Sequence, residues 1–250
     1  MNKTTPAPDP KGWGDAGLTD FFAKSYENRK ATFARFGAIA NEHALLDLAL
    51  RDFWSKLKNP KSRIVSDLLA RSHLLFTSAS EMAFSTQYYS SIVLCRTALE
   101  TAAYGALMTT HPSTEPTWLA RNDSGTKKKR ARETFSQFAI KQSLGSFSTE
   151  LQRTYLRLYE TAIEFGAHAN PMGIHSGSKV TPREQGAFVE QIGMTDNEDL
   201  IEFGLKISFD TGMCAAGIIT YIFPDNSVDL SNQLQELLEK HNLRIASPKS

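Results

Sequence analysis

The chain has 250 residues, 41% of them apolar, with 28 Lys and Arg against 27 Asp and Glu. That length and apolar fraction suit one large hydrophobic core or two small ones, and a formal net charge of +1 excludes a global electrostatic pull toward nucleic acid or an anionic membrane. The two cysteines, Cys95 and Cys214, make no disulfide framework, and both lie in apolar runs, which reads as two buried thiols.

Residues 1–16, beginning MNKTTPAPDPKGWGD, are polar and rich in Pro and Gly and read as a disordered or extended tail. They hold no apolar segment of the kind a secretory signal needs. The most apolar windows further on, Ser90–Met108 and Gly212–Phe223, are broken by an ion pair or too short to span a bilayer. The cytoplasm is the expected compartment, with no membrane partner. From Leu18 the pattern turns helical: Thr19 or Asp20 can cap, and Phe21, Phe22, Tyr26, Phe33, Phe36 and Ile39 recur at helical spacing. The pattern continues through Leu45, Leu46, Leu48, Leu50, Phe53 and Trp54 with a break near Gly37, and Asn59-Pro60 stops it.

A second long helix begins near Lys61 and runs through Ile64, Leu68, Leu69, Leu74, Leu75 and Phe76. Phe84–Gln87 reads as a kink or short turn before the Ser90 helix. Thr109–Gly125 carries two prolines and reads as a loop. Lys127–Arg132 opens another helix, which carries Phe135, Phe138 and Ile140 and is expected to end at Gly145. Ser148 or Thr149 caps the next, with Leu151, Tyr155, Leu158, Tyr159 and Ile163 on its inner face. Residues 165–177 read as a Gly/Asn/Pro loop. The segment 186–194 reads as a short strand, a hairpin or a turn. Asp196 or Asn197 caps a long helix that Pro224 terminates, and a final amphipathic helix covers Val228–Lys240. With no repeat and no βαβ alternation, the expected fold is all-α: an antiparallel bundle of about seven helices, one helical domain over 17–242, then a flexible tail over 243–250.

Candidate site residues are few. Between Ser90 and Met108 only Arg96 and Glu100 are charged. Four apart, they share a helix face, and their apolar surroundings predict that both are mostly buried and paired. Such a pair is either a structural clamp or the floor of a polar site. Glu164 and His168 sit four apart near a helix end, with His175 seven residues on. A carboxylate–imidazole pair can bind metal in a bundle, but the di-metal pattern needs Glu-x-x-His on two helices, and a histidine beside a helix C-terminus has a structural explanation. No G-x-G-x-x-G, Walker A, C-x-x-C or H-E-x-x-H signature is present, so no metal ligand is assigned and no cofactor expected. Lys127, Lys128, Lys129 and Arg130 form a cationic stripe placed against the helix dipole. It is either a solvated first turn or a contact for RNA or another anion. His73 reads as structural, and Asp210 as a partner of Lys206 or Arg96.

Residues 68–108, LLARSHLLFTSASEMAFSTQYYSSIVLCRTALETAAYGALM, with the segment Arg96-Thr-Ala-Leu-Glu100 and the later Glu164-Phe-Gly-Ala-His168 followed by His175, resemble the uncharacterised bacterial helical families related to the HEPN superfamily. The resemblance implies an antiparallel bundle, often dimeric, in bacterial defence or toxin–antitoxin settings. Its active members are metal-independent ribonucleases with four to six residues between an Arg and a His on one helix, the Arg polarising the scissile phosphate and the His handling protons. Here Thr101, Ala102 and Ala103 stand where that His would be. A ribonuclease would therefore draw Arg96 and Glu100 from one helix and His168 from another, with Glu164, His175 and the Lys127–Arg130 stripe binding the ligand. The first expectation is a HEPN-like bundle acting through binding or dimerisation, as a homodimer. The ribonuclease is the second and a metal-binding bundle the third, and whether the chain is an enzyme stays open.

Overall fold

The computed structural model describes residues 9–167, 171, 174, 178–183, 186–191 and 193–246. The first helical pattern divides at Phe36, where ψ of 42° leaves the helical range, into α1 (Gly17–Arg35) and α2 (Gly37–Lys56). α3 (Arg63–Phe84) starts on Ser62, whose hydroxyl accepts from the Val65 N–H at 3.2 Å. A three-residue turn then reverses the chain: Thr86 adopts φ of 61°, and the Thr86 and Gln87 N–H groups bond back to Ala83 O and Met82 O. α4 (Tyr88–Thr110) thus returns antiparallel along α3. The Ser72 hydroxyl ties the two by donating to Ala98 O at 2.8 Å.

The loop expected over Thr109–Gly125 is largely helical. α4 runs to Thr110, α5 spans Thr114–Leu119 and a 3-10 turn spans Ala120–Asn122. Pro116 falls in the first turn of α5, where a missing N–H costs little. Ser124 caps α6 (Gly125–Thr134), and Ser136 caps α7 (Gln137–Phe147). α7 passes through Gly145 instead of ending there. A Cβ at Gly145 would lie 2.5 Å from Gln152 Nε2, so this glycine permits close helix approach and is not a stop. Ser148 caps α8 (Thr149–Ala162), which continues as a π-helical turn over Ile163–Ala167. The strand expected within 186–194 is present as β2 (Gly186–Gln191), paired antiparallel with an unforeseen β1 (Ser178–Arg183), Val180 opposite Val189. Asn197 Oδ1 caps α9 (Glu198–Ile222), accepting from Asp199 and Leu200 N–H. α10 (Val228–Ala246) runs six residues past Lys240.

The chain is all-α apart from this hairpin. α9 and α4 form the centre, packed on each other and on α3. Leu46, Leu69, Phe76, Ile92, Leu99, Tyr155 and Phe209 are fully buried between them. Cys95 and Cys214 are unpaired and buried, and burial pushes both thiols up to about 12. Both therefore stay protonated at mildly alkaline pH, and a thiol-specific reagent is expected to modify neither in the native protein and both in denaturant. Rapid native modification of either would place it outside the core.

His73 is structural, as its apolar neighbours suggest: its Nε2 meets Asp47 Oδ1 at 2.8 Å. Burial acts to raise the Asp47 carboxyl, but Arg51 and His73 outweigh it and hold the group below its ordinary value. A depressed folded value means that the stabilisation is present above the ordinary aspartate range of ~3.9 and is lost as pH falls through the lower folded value. Asp47→Asn is expected to lower stability at neutral pH, with the difference from the parent closing in acid. A denaturant midpoint difference unchanged down to the lowest pH would refute it.

Candidate functional site

Arg96, Glu100 and Tyr104 follow one another at helical spacing on α4 and form a polar stripe on its outer edge. The Arg96 Nε donates to Glu100 Oε1 at 3.0 Å. From α8, the Tyr159 hydroxyl donates to the same Oε1 at 3.1 Å, and the Arg96 Nη2 lies 3.4 Å from the phenol oxygen. The guanidinium also sits 5.4 Å from the centre of the Tyr159 ring, a cation–π position. Tyr159 stacks in turn on the fully buried Tyr155, centroids 5.7 Å apart. Three groups from two helices thus hold each other in one orientation.

The pair is mostly buried and hydrogen-bonded, as its apolar neighbours suggested, but not sealed: the Arg96 and Glu100 side chains are 20% and 31% exposed. α4 presents this edge where α8 covers it only in part, and a three-to-four residue period cannot report that. The cost expected of removing one partner falls accordingly. Arg96→Ala leaves Glu100 with Tyr159 and water and is expected to cost about 1 kcal/mol of stability. A loss as large as that of a fully buried pair, measured by urea unfolding, would contradict the partial exposure.

Electrostatics hold the Arg96 guanidinium and the Tyr159 phenol in their protonated forms. Burial acts to lower the Arg96 guanidinium, but the Glu100 carboxylate and the Tyr159 phenol outweigh it and hold it above its ordinary value. Burial, then the Glu100 charge, pushes the Tyr159 phenol up, so the phenol remains a proton donor at neutral pH. Chemically the arrangement offers a fixed, charged hydrogen-bond donor beside a carboxylate–phenol couple, a set that can orient the oxygens of an anion.

The π-helical turn that follows α8 packs on α4 beside this cluster. π turns are uncommon and occur often at functional sites. Gly166 makes the contact possible: a Cβ there would lie 2.9 Å from Ile92 Cγ2 and 3.3 Å from Tyr89 O. Glu164 is on this turn and exposed. His168 and His175, the imidazoles expected to complete the site, lie outside the described residues. Lys127, Lys128, Lys129 and Arg130 are all exposed on α6. Two of them face carboxylates, Lys127 with Asp123 at 2.8 Å and Lys129 with Glu133 at 3.9 Å.

A second polar network lies elsewhere, buried at Glu42 and His241 and open to solvent at Lys206 and Arg157. His241 of α10 meets Glu42 of α2 at 3.0 Å, and the two side chains are 5% and 7% exposed. Asp210 of α9 bonds Lys206 at 3.1 Å and Arg157 at 3.5 Å, with His241 Nε2 at 3.8 Å. Asp210 thus takes the Lys206 partner its spacing suggests, and Arg157 in place of Arg96. Glu42, His241 and the role of Tyr159 escaped the sequence reading. A Glu-His dipeptide inside an apolar helix was a signal for the first, whereas Tyr159 fits its inner-face position and hides its hydroxyl.

The chain matches no family model, no curated protein and no solved structure. Among the described residues, no helix is long and apolar enough to cross a membrane, and no three His, Cys, Asp or Glu residues are grouped to hold a metal ion.

Proposed function

We propose that this bundle is an RNA-binding protein of the HEPN-like kind, working as a homodimer, with Arg96, Glu100 and Tyr159 as the site that meets a phosphodiester. The observation that carries the reading is the Arg96 guanidinium, held by Glu100 and Tyr159 on a side chain that keeps 20% of its surface exposed. Orienting such a group costs little on binding because its rotamer is already set, and a guanidinium matches phosphate oxygens in geometry and charge. The cationic α6, on the same flank of α4 beyond Tyr104, supplies sequence-independent attraction for the strand.

Fluorescence anisotropy with a labelled single-stranded RNA tests it. The parent is expected to bind, with affinity falling as salt rises, and Arg96→Ala to weaken binding by about tenfold or more. Unchanged binding by the Arg96→Ala variant, or no binding by the parent, would overturn the site. Cleavage of that RNA by the parent in EDTA, lost in Arg96→Ala, would raise the same site to a metal-independent ribonuclease.

The dimer is supported by α1, where Leu18, Phe22, Tyr26 and Phe33 stand exposed on a helix with few partners. Light scattering at micromolar concentration is expected to give a mass near twice the chain's 27.8 kDa, and Phe22→Glu/Phe33→Glu to return it to monomer. A monomeric parent at that concentration would remove this part of the reading.

A further inference from the structure

We propose that the small cavity between α4, α5 and α6 is a pocket for a terminal phosphate, a phosphomonoester dianion. It encloses about 100 Å³, walled by the rings of Tyr104, Trp118 and Phe135 and rimmed by Arg121, Lys128 and Arg132. A site for a whole drug-sized ligand is larger, ~300–1,000 Å³. This one has room for a single small group, with the remainder of its bearer outside.

The charge pattern points to an anion. Lys128 and Arg132 are four apart on α6 and share the face that lines the cavity. Arg121 reaches it from the 3-10 turn. Among the described residues no carboxylate is within ion-pair distance of any of the three, although their neighbours Lys127 and Lys129 each have one. Three cations thus line one small cavity with no carboxylate of the described residues at ion-pair distance, Arg121 from the 3-10 turn, Lys128 from the first half of α6 and Arg132 from its last turn. Such like-charge crowding is unfavourable until an anion enters.

The walls and the count of cations favour a dianion over a carboxylate. Tyr104 and Phe135 meet with their rings tilted by 50°, centroids 4.7 Å apart, and form the aromatic part of the cavity wall beside the cations. One carboxylate would neutralise one cation of three. A phosphomonoester, whose second proton leaves near pH ~6, carries close to two charges at neutral pH and three acceptor oxygens for two guanidinium forks and an ammonium. The phosphate is that of free inorganic phosphate or of an RNA end. Only the second source rests on the RNA-binding reading, since the Tyr104 pocket is one helical turn beyond Glu100 on α4.

Isothermal titration calorimetry of the full chain with inorganic phosphate tests the pocket. Saturable binding is expected, weaker in acid as the second proton returns, and reduced by about tenfold or more in Lys128→Gln/Arg132→Gln. Both side chains are exposed, so the variant is expected to keep the parent's melting temperature. Arg121→Gln, from a different element, should weaken phosphate binding in the same direction. The charge-matched control Lys141→Gln/Arg153→Gln, on α7 and α8, should bind as the parent does. Absence of saturable binding, or an equal loss in the control, would overturn the pocket. A 5′-phosphorylated oligoribonucleotide binding more tightly than its 5′-hydroxyl twin, with the gain lost in Lys128→Gln/Arg132→Gln, would assign the phosphate to an RNA end. Equal binding of the twins together with phosphate binding would assign it to the free ion. Arg96→Ala separates the two proposals, because it should weaken RNA binding and leave inorganic phosphate binding as in the parent.

Discussion

Replacing Glu42 by alanine is expected to destabilise the fold by about 3–5 kcal/mol. Glu42 and His241 are 5% and 4% exposed, so neither can turn to water when the other is gone. The His241 Nδ1 donates to Glu42 Oε2 at 3.0 Å, since a carboxylate can only accept. On its other side His241 faces Lys206 at 3.4 Å and the Phe209 ring at 4.9 Å. Alanine therefore removes the acceptor from an enclosed donor and opens a void as well. Replacing both residues with leucine should cost less than Glu42→Ala alone, because an apolar pair leaves nothing stranded. Urea unfolding followed by circular dichroism reads both variants. A Glu42→Ala midpoint equal to the parent's would mean that the pair does not hold α10 against α2.

Gly212→Val is the second large effect, expected to cost about 3 kcal/mol. Gly212 lies on α9 where it crosses α2 and α3. A Cβ there would stand 2.6 Å from Phe76 Cδ2 and 2.9 Å from Leu46 Cδ2. Both neighbours are among the most deeply buried side chains, and the Phe76 ring is flanked by the His43 and His73 rings at 6.1 and 6.4 Å. It has nowhere to retreat. Valine adds two methyl groups to this clash and a stiff χ1, which outweighs the few tenths of a kcal/mol of helix propensity that valine recovers over glycine. Gly37→Ala serves as the contrast. A Cβ at Gly37 meets nothing within 4 Å, so that change should be neutral or slightly stabilising. If Gly212→Val melts with the parent, the three-helix crossing is looser than described.

Local chemistry made most of the fold legible. Ser148 and Asn197 cap where their side chains permit, and Pro224 follows the last turn of α9. The misreadings share a cause. Gly145 and the Thr109–Gly125 segment look like breaks because glycine and proline punctuate chains on average, whereas here contact with Gln152 and a first-turn proline decide. The site was half legible. The isolation of Arg96 and Glu100 marked them as a pair, which they form, but how far α8 covers them depends on helix placement, which residue spacing along α4 does not encode. Tyr159 is read by period as a core residue, and only the approach of two helices turns its hydroxyl toward Glu100.

The Glu42–His241 contact joins positions 199 residues apart, and this has a consequence for synthesis. A nascent chain emerges N-terminus first, so the α3–α4 hairpin, with its three-residue turn, can assemble early from neighbouring sequence. Through all of that time Glu42 has no histidine to face. The contact between α2 and α10 can form only after residue 241 has been made, late in assembly. A chain that stops before residue 241 therefore lacks the contact that ties α10 to α2, and is expected to unfold and be proteolysed more readily than the full chain.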